Sequence, residues 1–274
     1  MILSKYSNLT QRIVTALVGA VVVIGSLYWG PWSYFCVFLF IMIFSQIEFY
    51  NLIKVHGIVP LKYLGTFAGA STFALTFLIE QQILHQNWYF GIFPLVSIIY
   101  FIKLYKKNET RPFTNIAFTF LGIIYVALPF SLINVIAFID GPYNFEPIVG
   151  MLFLLWASDT GAYFAGTAFG KTKLFERVSP KKSWEGSLGG AALSLAFAHG
   201  FSLYFTDIKP LEWYVISVII VIAGTYGDLV ESLFKRSMEI KDSGKVLIGH
   251  GGFLDRFDGL LLSVPFILMF LKLL

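Results

Sequence analysis

The chain has 274 residues, of which 57% are hydrophobic and 13% charged, and its mean hydropathy is +0.75, a composition that excludes an ordinary water-soluble domain. The formal net charge of +4 is modest and the aromatic residues sit mainly inside apolar runs, so a nucleic-acid partner is excluded. Cys36 is the only cysteine and lies in an apolar stretch, which excludes an internal disulfide and a cysteine zinc cage and leaves it a packing role.

A helix that crosses a hydrocarbon core of about 30 Å needs roughly 20 largely apolar residues. Nine segments qualify in chain order: 13–29, 33–53, 63–80, 88–104, 114–138, 147–169, 185–206, 211–234 and 257–273. The first follows Lys5 and Arg12 as a signal peptide would, but the run continues to Tyr28 and Trp29 without a small-residue cleavage site, so it reads as the first spanning helix. These runs are too long and continuous for the alternating strands of about ten residues that build membrane barrels. The expected fold is all-α, a polytopic transmembrane helical bundle of about nine spanning helices.

Orientation follows from Lys and Arg, which cytoplasmic loops retain. The pattern places 18 of the 20 basic residues on one side and leaves only Lys209 and Lys272 on the other. That predicts a cytosolic N-terminus. The inside loops 170–184 and 235–256 are rich in charge and glycine, so polar chemistry is expected at the cytosolic surface. Residues 1–110 read as transmembrane helices without a motif, and 111–274 as the catalytic transmembrane region. No convincing internal repeat supports an inverted-repeat transporter.

The sixth segment contains W-A-S-D-T-G-A-Y-F-A-G and places Ser158, Asp159 and Thr160 well inside an apolar run, where a carboxylate is by default functional. Gly166, Gly170, Lys171 and Thr172 fall one residue short of P-loop spacing and follow a helix, not a strand. The G-x-x-x-G spacings at 166/170 and 186/190 read as close helix packing. The stretch S-P-K-K-S-W-E-G then brings Lys181, Lys182, Ser183 and Glu185 to the cytosolic edge, either as ligands of an anionic substrate or as topology anchors. Glu48, near the inner end of the second segment, has no assigned task, and His199 reads as a packing residue.

The eighth segment, A-G-T-Y-G-D-L-V-E-S-L-F-K-R, puts Asp228, Glu231, Ser232 and Lys235 on one helix face. Asp228 lies about two turns before the cytosolic end marked by Lys235 and Arg236, in or near the hydrocarbon margin. Neutralisation by one of those two cations is the competing structural role. Asp255 and Asp258 follow, three residues apart at the start of the last segment. Carboxylates from two helices without a Cys or His set suit Mg²⁺ over Zn²⁺, whereas complementing the helix dipole accounts for one aspartate at most. Gly249, Gly251 and Gly252 let backbone approach phosphate oxygens, and His250 between them reads equally as a phosphate donor or a plain loop histidine.

Residues 232–258, S-L-F-K-R-S-M-E-I-K-D-S-G-K-V-L-I-G-H-G-G-F-L-D-R-F-D, closely resemble the signature of the phosphatidate cytidylyltransferases, the CDP-diacylglycerol synthases. The match covers Ser232, Lys235, Arg236, Lys241, Asp242, Gly244, His250, Gly251, Gly252, Asp255, Arg256 and Asp258. Ile248 departs from it, standing where the family usually has Pro. S-D-T-G-A-Y and S-P-K-K-S-W-E-G look like the same family, so the resemblance spans the C-terminal half, while the first 110 residues match only in length and hydropathy.

The resemblance implies transfer of a cytidylyl group from CTP to phosphatidic acid, giving CDP-diacylglycerol and pyrophosphate. Phosphatidate carries a phosphomonoester of charge about −1.5 to −2 near neutral pH and can attack without a general base. Asp228, Asp255 and Asp258 are then expected to hold Mg²⁺, with a second metal or a monovalent cation left open. Asp228, Asp255, Lys235 and Arg236 become the catalytic set. Ser158, Asp159, Lys181, Lys182, Ser183, Glu185, Ser232, Lys241, Asp242, His250, Gly251, Gly252 and Arg256 become substrate-binding groups. Membrane lipids surround the protein, a homodimer is compatible with the sequence, and the expected location is a bacterial inner membrane with the site facing the cytosol. The alternatives are a CTP-dependent lipid kinase with similar residues and, in another class, a cation-coupled transporter whose path runs through Asp159, Asp228 and Asp258.

Overall fold

A computed structural model describes residues 8–54, 57–239 and 251–273. Each of the nine expected segments coincides with a helix: α1 Asn8–Trp29, α2 Pro31–Ile53, α3 Lys62–Glu80, α4 Gln86–Leu104, α5 Pro112–Ala137, α6 Glu146–Phe169, α7 Trp184–Tyr204, α8 Pro210–Ser237 and α9 Leu254–Leu273. Local chemistry sets several starts. Pro31 and Pro112 stand at the first helical position, where the missing N–H costs nothing. Gly30, with φ +137°, breaks α1 from α2.

Among the described residues, α2, α4, α5, α6 and α8 are long and apolar enough to cross a membrane. The chain is therefore an integral membrane protein with a predominantly helical fold. The all-α expectation needs one amendment. Loop 170–184 contains a two-stranded antiparallel hairpin, β1 Lys173–Phe175 and β2 Ser179–Ser183, in which Lys173 faces Ser183 and Phe175 faces Ser179. Strands this short pair without a long alternating run, so hydropathy does not announce them.

Two helices contain a π-turn, at Ile123–Ala127 in α5 and Ile220–Gly224 in α8. Pro129 follows the first, and a residue without an N–H disturbs the α-helical ladder there. No proline accompanies the second; it lies one turn ahead of Asp228.

The chain divides into two compact units. One comprises Met1–Tyr143 with Met238–Arg256, the other Asn144–Ser237 with Phe257–Leu274. The first has an aromatic core in which Tyr50 fills the space beside Gly65 and Gly122; a Cβ at Gly65 would lie 2.2 Å from its hydroxyl and one at Gly122 2.5 Å from its ring. In the second, Trp213 is fully buried and covers Gly150, where a Cβ would come within 2.2 Å of the indole. Cys36, expected to pack internally, is exposed on α2.

Candidate active site

In the second unit, α6 and α7 run close together along a stripe of small residues. A Cβ on Gly161 would lie 2.5 Å from the Gly189 carbonyl oxygen, one on Gly186 2.9 Å from that of Ala162, and one on Gly190 2.7 Å from that of Ser158. The short approach fixes Ser158 and Asp159 of α6 beside the start of α7.

Two of the polar residues expected to meet substrate fasten that corner. Ser183 caps α7, its Oγ accepting the Gly186 N–H at 3.2 Å. The Glu185 carboxylate accepts the backbone N–H groups of Lys171 at 3.2 Å and Thr172 at 3.1 Å. With the hairpin tied down, Lys182 on β2 reaches α8, where its Nζ lies 2.5 Å from Asp228 Oδ2 and donates to the Thr225 carbonyl at 3.3 Å.

On α8, Ser232 donates to Asp228 Oδ1 at 3.3 Å. Lys235 pairs with Glu231 at 2.8 Å, not with Asp228, so the neutralisation weighed from the sequence is realised by Lys182 instead. Gly227 permits the next contact: a Cβ there would lie 2.6 Å from the Asp258 carbonyl oxygen and 2.9 Å from the Gly259 Cα. Gly227–Asp228 on α8 thus meets Asp258–Gly259 on α9 with backbones nearly touching. Asp228, Glu231 and Asp258 each present an oxygen within 4.8 Å of the others.

Like charges at that separation repel by about 3–4 kcal/mol per pair at an effective dielectric of about 20. Lys182 and Lys235 offset two of the three charges, so the group suits a hard cation. The donors are all carboxylate oxygens, which fits Mg²⁺ and not a soft metal. Glu231 is the member that the expected metal set lacked, although its three-residue spacing from Asp228 already placed it on the same face.

A cavity of about 240 Å³ is lined by Ser158, Asp159, Lys181, Lys182, Ser183 and Asp228, among others. Six residues from two separate motifs and from α8 therefore surround one space, and Asp228 links it to the carboxylate group. Asp255 belongs to the first unit. Its Oδ2 accepts the Gly252 N–H at 2.9 Å and closes the turn ahead of α9; Gly251 there has φ +81°, and a Cβ on it would sit 2.6 Å from the same oxygen. Arg236 and Arg256 are exposed. Lys241, Asp242, Ile248, Gly249 and His250 lie outside the described residues.

A sequence profile described as the cytidylyltransferase family matches residues 10–274. The chain belongs to that family. Among its relatives is the phosphatidate cytidylyltransferase of Bacillus subtilis (strain 168), 31% identical, with 97% of this chain and 98% of that protein covered. The phosphatidate cytidylyltransferase of Haemophilus influenzae is 37% identical over 65% of this chain and 63% of its own length. That of Brucella suis biovar 1 is 41% identical over 48% of each.

Proposed function

We propose that this chain transfers the cytidylyl group of CTP to phosphatidate, forming CDP-diacylglycerol and releasing pyrophosphate. The observation that carries the reading is the meeting of Asp228, Glu231 and Asp258, the first of which lines a cavity together with Lys181 and Lys182. The near full-length likeness to a phosphatidate cytidylyltransferase supports it. Neither the transporter nor γ-phosphate transfer gains support from the family match.

In this reading nine helices span a bacterial inner membrane, the N-terminus is cytosolic, and residues 111–274 carry the site on the cytosolic side. CTP enters from the cytosol and phosphatidate from the leaflet. An oxygen of the phosphatidate phosphate attacks the α-phosphorus of CTP, the bond from that phosphorus to the β-phosphate bridging oxygen breaks, and pyrophosphate departs. The attacking oxygen is already anionic, so no general base and no covalent enzyme intermediate is required.

Asp228, Glu231 and Asp258 would hold Mg²⁺, which when bound would polarise the triphosphate and offset the charge of the leaving pyrophosphate. Lys181 and Lys182 draw phosphate oxygens into the cavity, which Ser158 and Asp159 also line. Lys235, besides pairing with Glu231, adds positive charge together with Arg236 and Arg256. Ser183 and Glu185 hold the hairpin that delivers the two lysines. Asp255, expected as a metal ligand, is assigned to the glycine turn, whose Gly252 N–H its carboxylate accepts.

Purified protein incubated with α-labelled CTP, dioleoyl phosphatidate and Mg²⁺ is expected to yield labelled lipid. Label recovered in lipid only from γ-labelled CTP, or no labelled lipid from either, overturns the assignment.

A further inference from the structure

The glycine turn ahead of α9 is held from a part of the chain that carries no motif. Residue Phe253 occupies the position that precedes the first residue of α9, and a phenyl ring cannot accept the orphan N–H groups of a helix start. Glu48 on α2 supplies the missing acceptor: its Oε2 takes the Leu254 N–H at 3.0 Å across a sequence separation of 206 residues.

The contact belongs to a stripe. Phe40, Phe44 and Glu48 are four residues apart and share one face of α2. The Phe253 ring lies 6.0 Å from that of Phe40, edge to face, and 5.8 Å from that of Phe44. Two aromatic contacts and a charge-assisted hydrogen bond therefore seat residues 253 and 254 on α2, while Asp255 closes the same turn from its other end through the Gly252 N–H.

Stability alone does not favour a glutamate there. Glu48 is 3% exposed, it has no ion pair among the described residues, and its Oε1 is buried with no hydrogen-bond partner among them. Burying a carboxylate this way is costly, and a neutral acceptor would cap the helix more cheaply. What the carboxylate gives is a stiff hold on backbone at the positive end of the α9 dipole.

We infer that Glu48 is a positioning residue of the enzyme, fixing the turn Gly251–Leu254 and thereby the side chains of Asp255 and Arg256 for turnover. The inference rests on the cytidylyltransferase reading. Glu48 does not touch the reacting atoms, so its loss acts on kcat through geometry.

The test compares wild type with Glu48→Gln, Glu48→Ala and Glu48→Leu, each purified in detergent and checked for monodispersity and thermal midpoint. In the alanine and leucine variants kcat is expected to fall about 10- to 100-fold, with KM for CTP within about twofold. Glutamine keeps a carbonyl acceptor but loses the charge, and its kcat is expected to fall about three- to fivefold, between wild type and the other two variants. Hydrogen exchange of a peptide covering residues 251–258 is expected to accelerate in the alanine and leucine variants and not in the glutamine variant. Wild-type kcat in either the alanine or the leucine variant overturns the inference, as does a glutamine variant as slow as alanine. If the alanine variant does not fold, the leucine variant, close in volume and lacking any acceptor, decides. A wild-type chain that makes no labelled lipid overturns the proposed function instead, and the exchange measurement still decides whether Glu48 holds the turn.

Discussion

In the first unit two sets of buried polar side chains pair among themselves in small circuits. Lys103 pairs with Glu109 and donates to the Val59 carbonyl at 3.0 Å; Asn115 donates to Glu109 and accepts the Val59 N–H at 2.7 Å. Deeper in, Tyr34 donates to Asn134 at 2.7 Å, and Asn134 donates to the Phe73 carbonyl at 2.9 Å. In the second unit, by contrast, Asp228, Glu231 and Asp258 gather against one another. Burial penalises polar groups in both places. A network whose charges are paired serves the fold, whereas a convergence of like charges that its own lysines do not fully cancel points to a ligand.

The contrast is sharpest where charge is removed from the convergent group. Asp228→Asn is expected to lower kcat by about 10³-fold or more, with the thermal midpoint unchanged or raised because a repulsive charge is gone. Incorporation of α-labelled CTP measures it, and near-normal turnover would sink the metal assignment. Chelation by EDTA should silence wild type reversibly, with Mg²⁺ restoring activity and Zn²⁺ not.

Gly227→Ala probes the same site without touching charge. The added methyl would sit 2.6 Å from the Asp258 carbonyl oxygen, so α8 and α9 must part and kcat is expected to drop about 10- to 100-fold. A fully active Gly227→Ala variant would mean that the carboxylate group tolerates a looser geometry. Lys181→Ala should have a milder effect, raising KM for CTP about tenfold with kcat little changed, in steady-state assays at saturating phosphatidate.

The smallest effect on activity and the largest on stability should come from the closed circuit. Burial alone would raise the Glu109 carboxyl, but hydrogen bonds from Lys103 and Asn115 and the charge of Lys103 outweigh it and hold the group below its ordinary value. Its contribution is therefore complete above the ordinary carboxylate range and is lost only as pH falls through the lowered value. Glu109→Gln leaves Lys103 buried without a counter-charge and is expected to cost about 3 kcal/mol of stability at neutral pH, read by thermal unfolding in detergent. Its kcat should stay within about twofold of wild type; a large loss would blur the distinction between the two units.

Much of the site could be read from residue spacing. Asp228 stands out because a carboxylate within an apolar run is rarely there for the fold alone, and Lys181 and Lys182 stand out because they sit in a compact polar motif. The partners of Asp228 could not be read that way. Helical spacing offered Lys235 or Arg236 as its cation, yet Lys182 takes that place because the hairpin carries it across to α8. Asp255 and Asp258 look equivalent in sequence, but one closes a glycine turn and the other joins the carboxylate group. Glu48 gives no such signal, because nothing near it in sequence carries chemistry.

Hydropathy and charge by themselves determined that this chain is helical and membrane-embedded and where the nine helices of the described residues fall, and they singled out the polar residues that cost most to bury. Those properties depend on neighbours within a turn or two and on transfer from water. Which carboxylate meets which cation, and that a glutamate of α2 caps α9, was decided only by tertiary structure. Such contacts depend on glycines that let backbones close to van der Waals distance and on a hairpin whose register carries no hydrophobic signature.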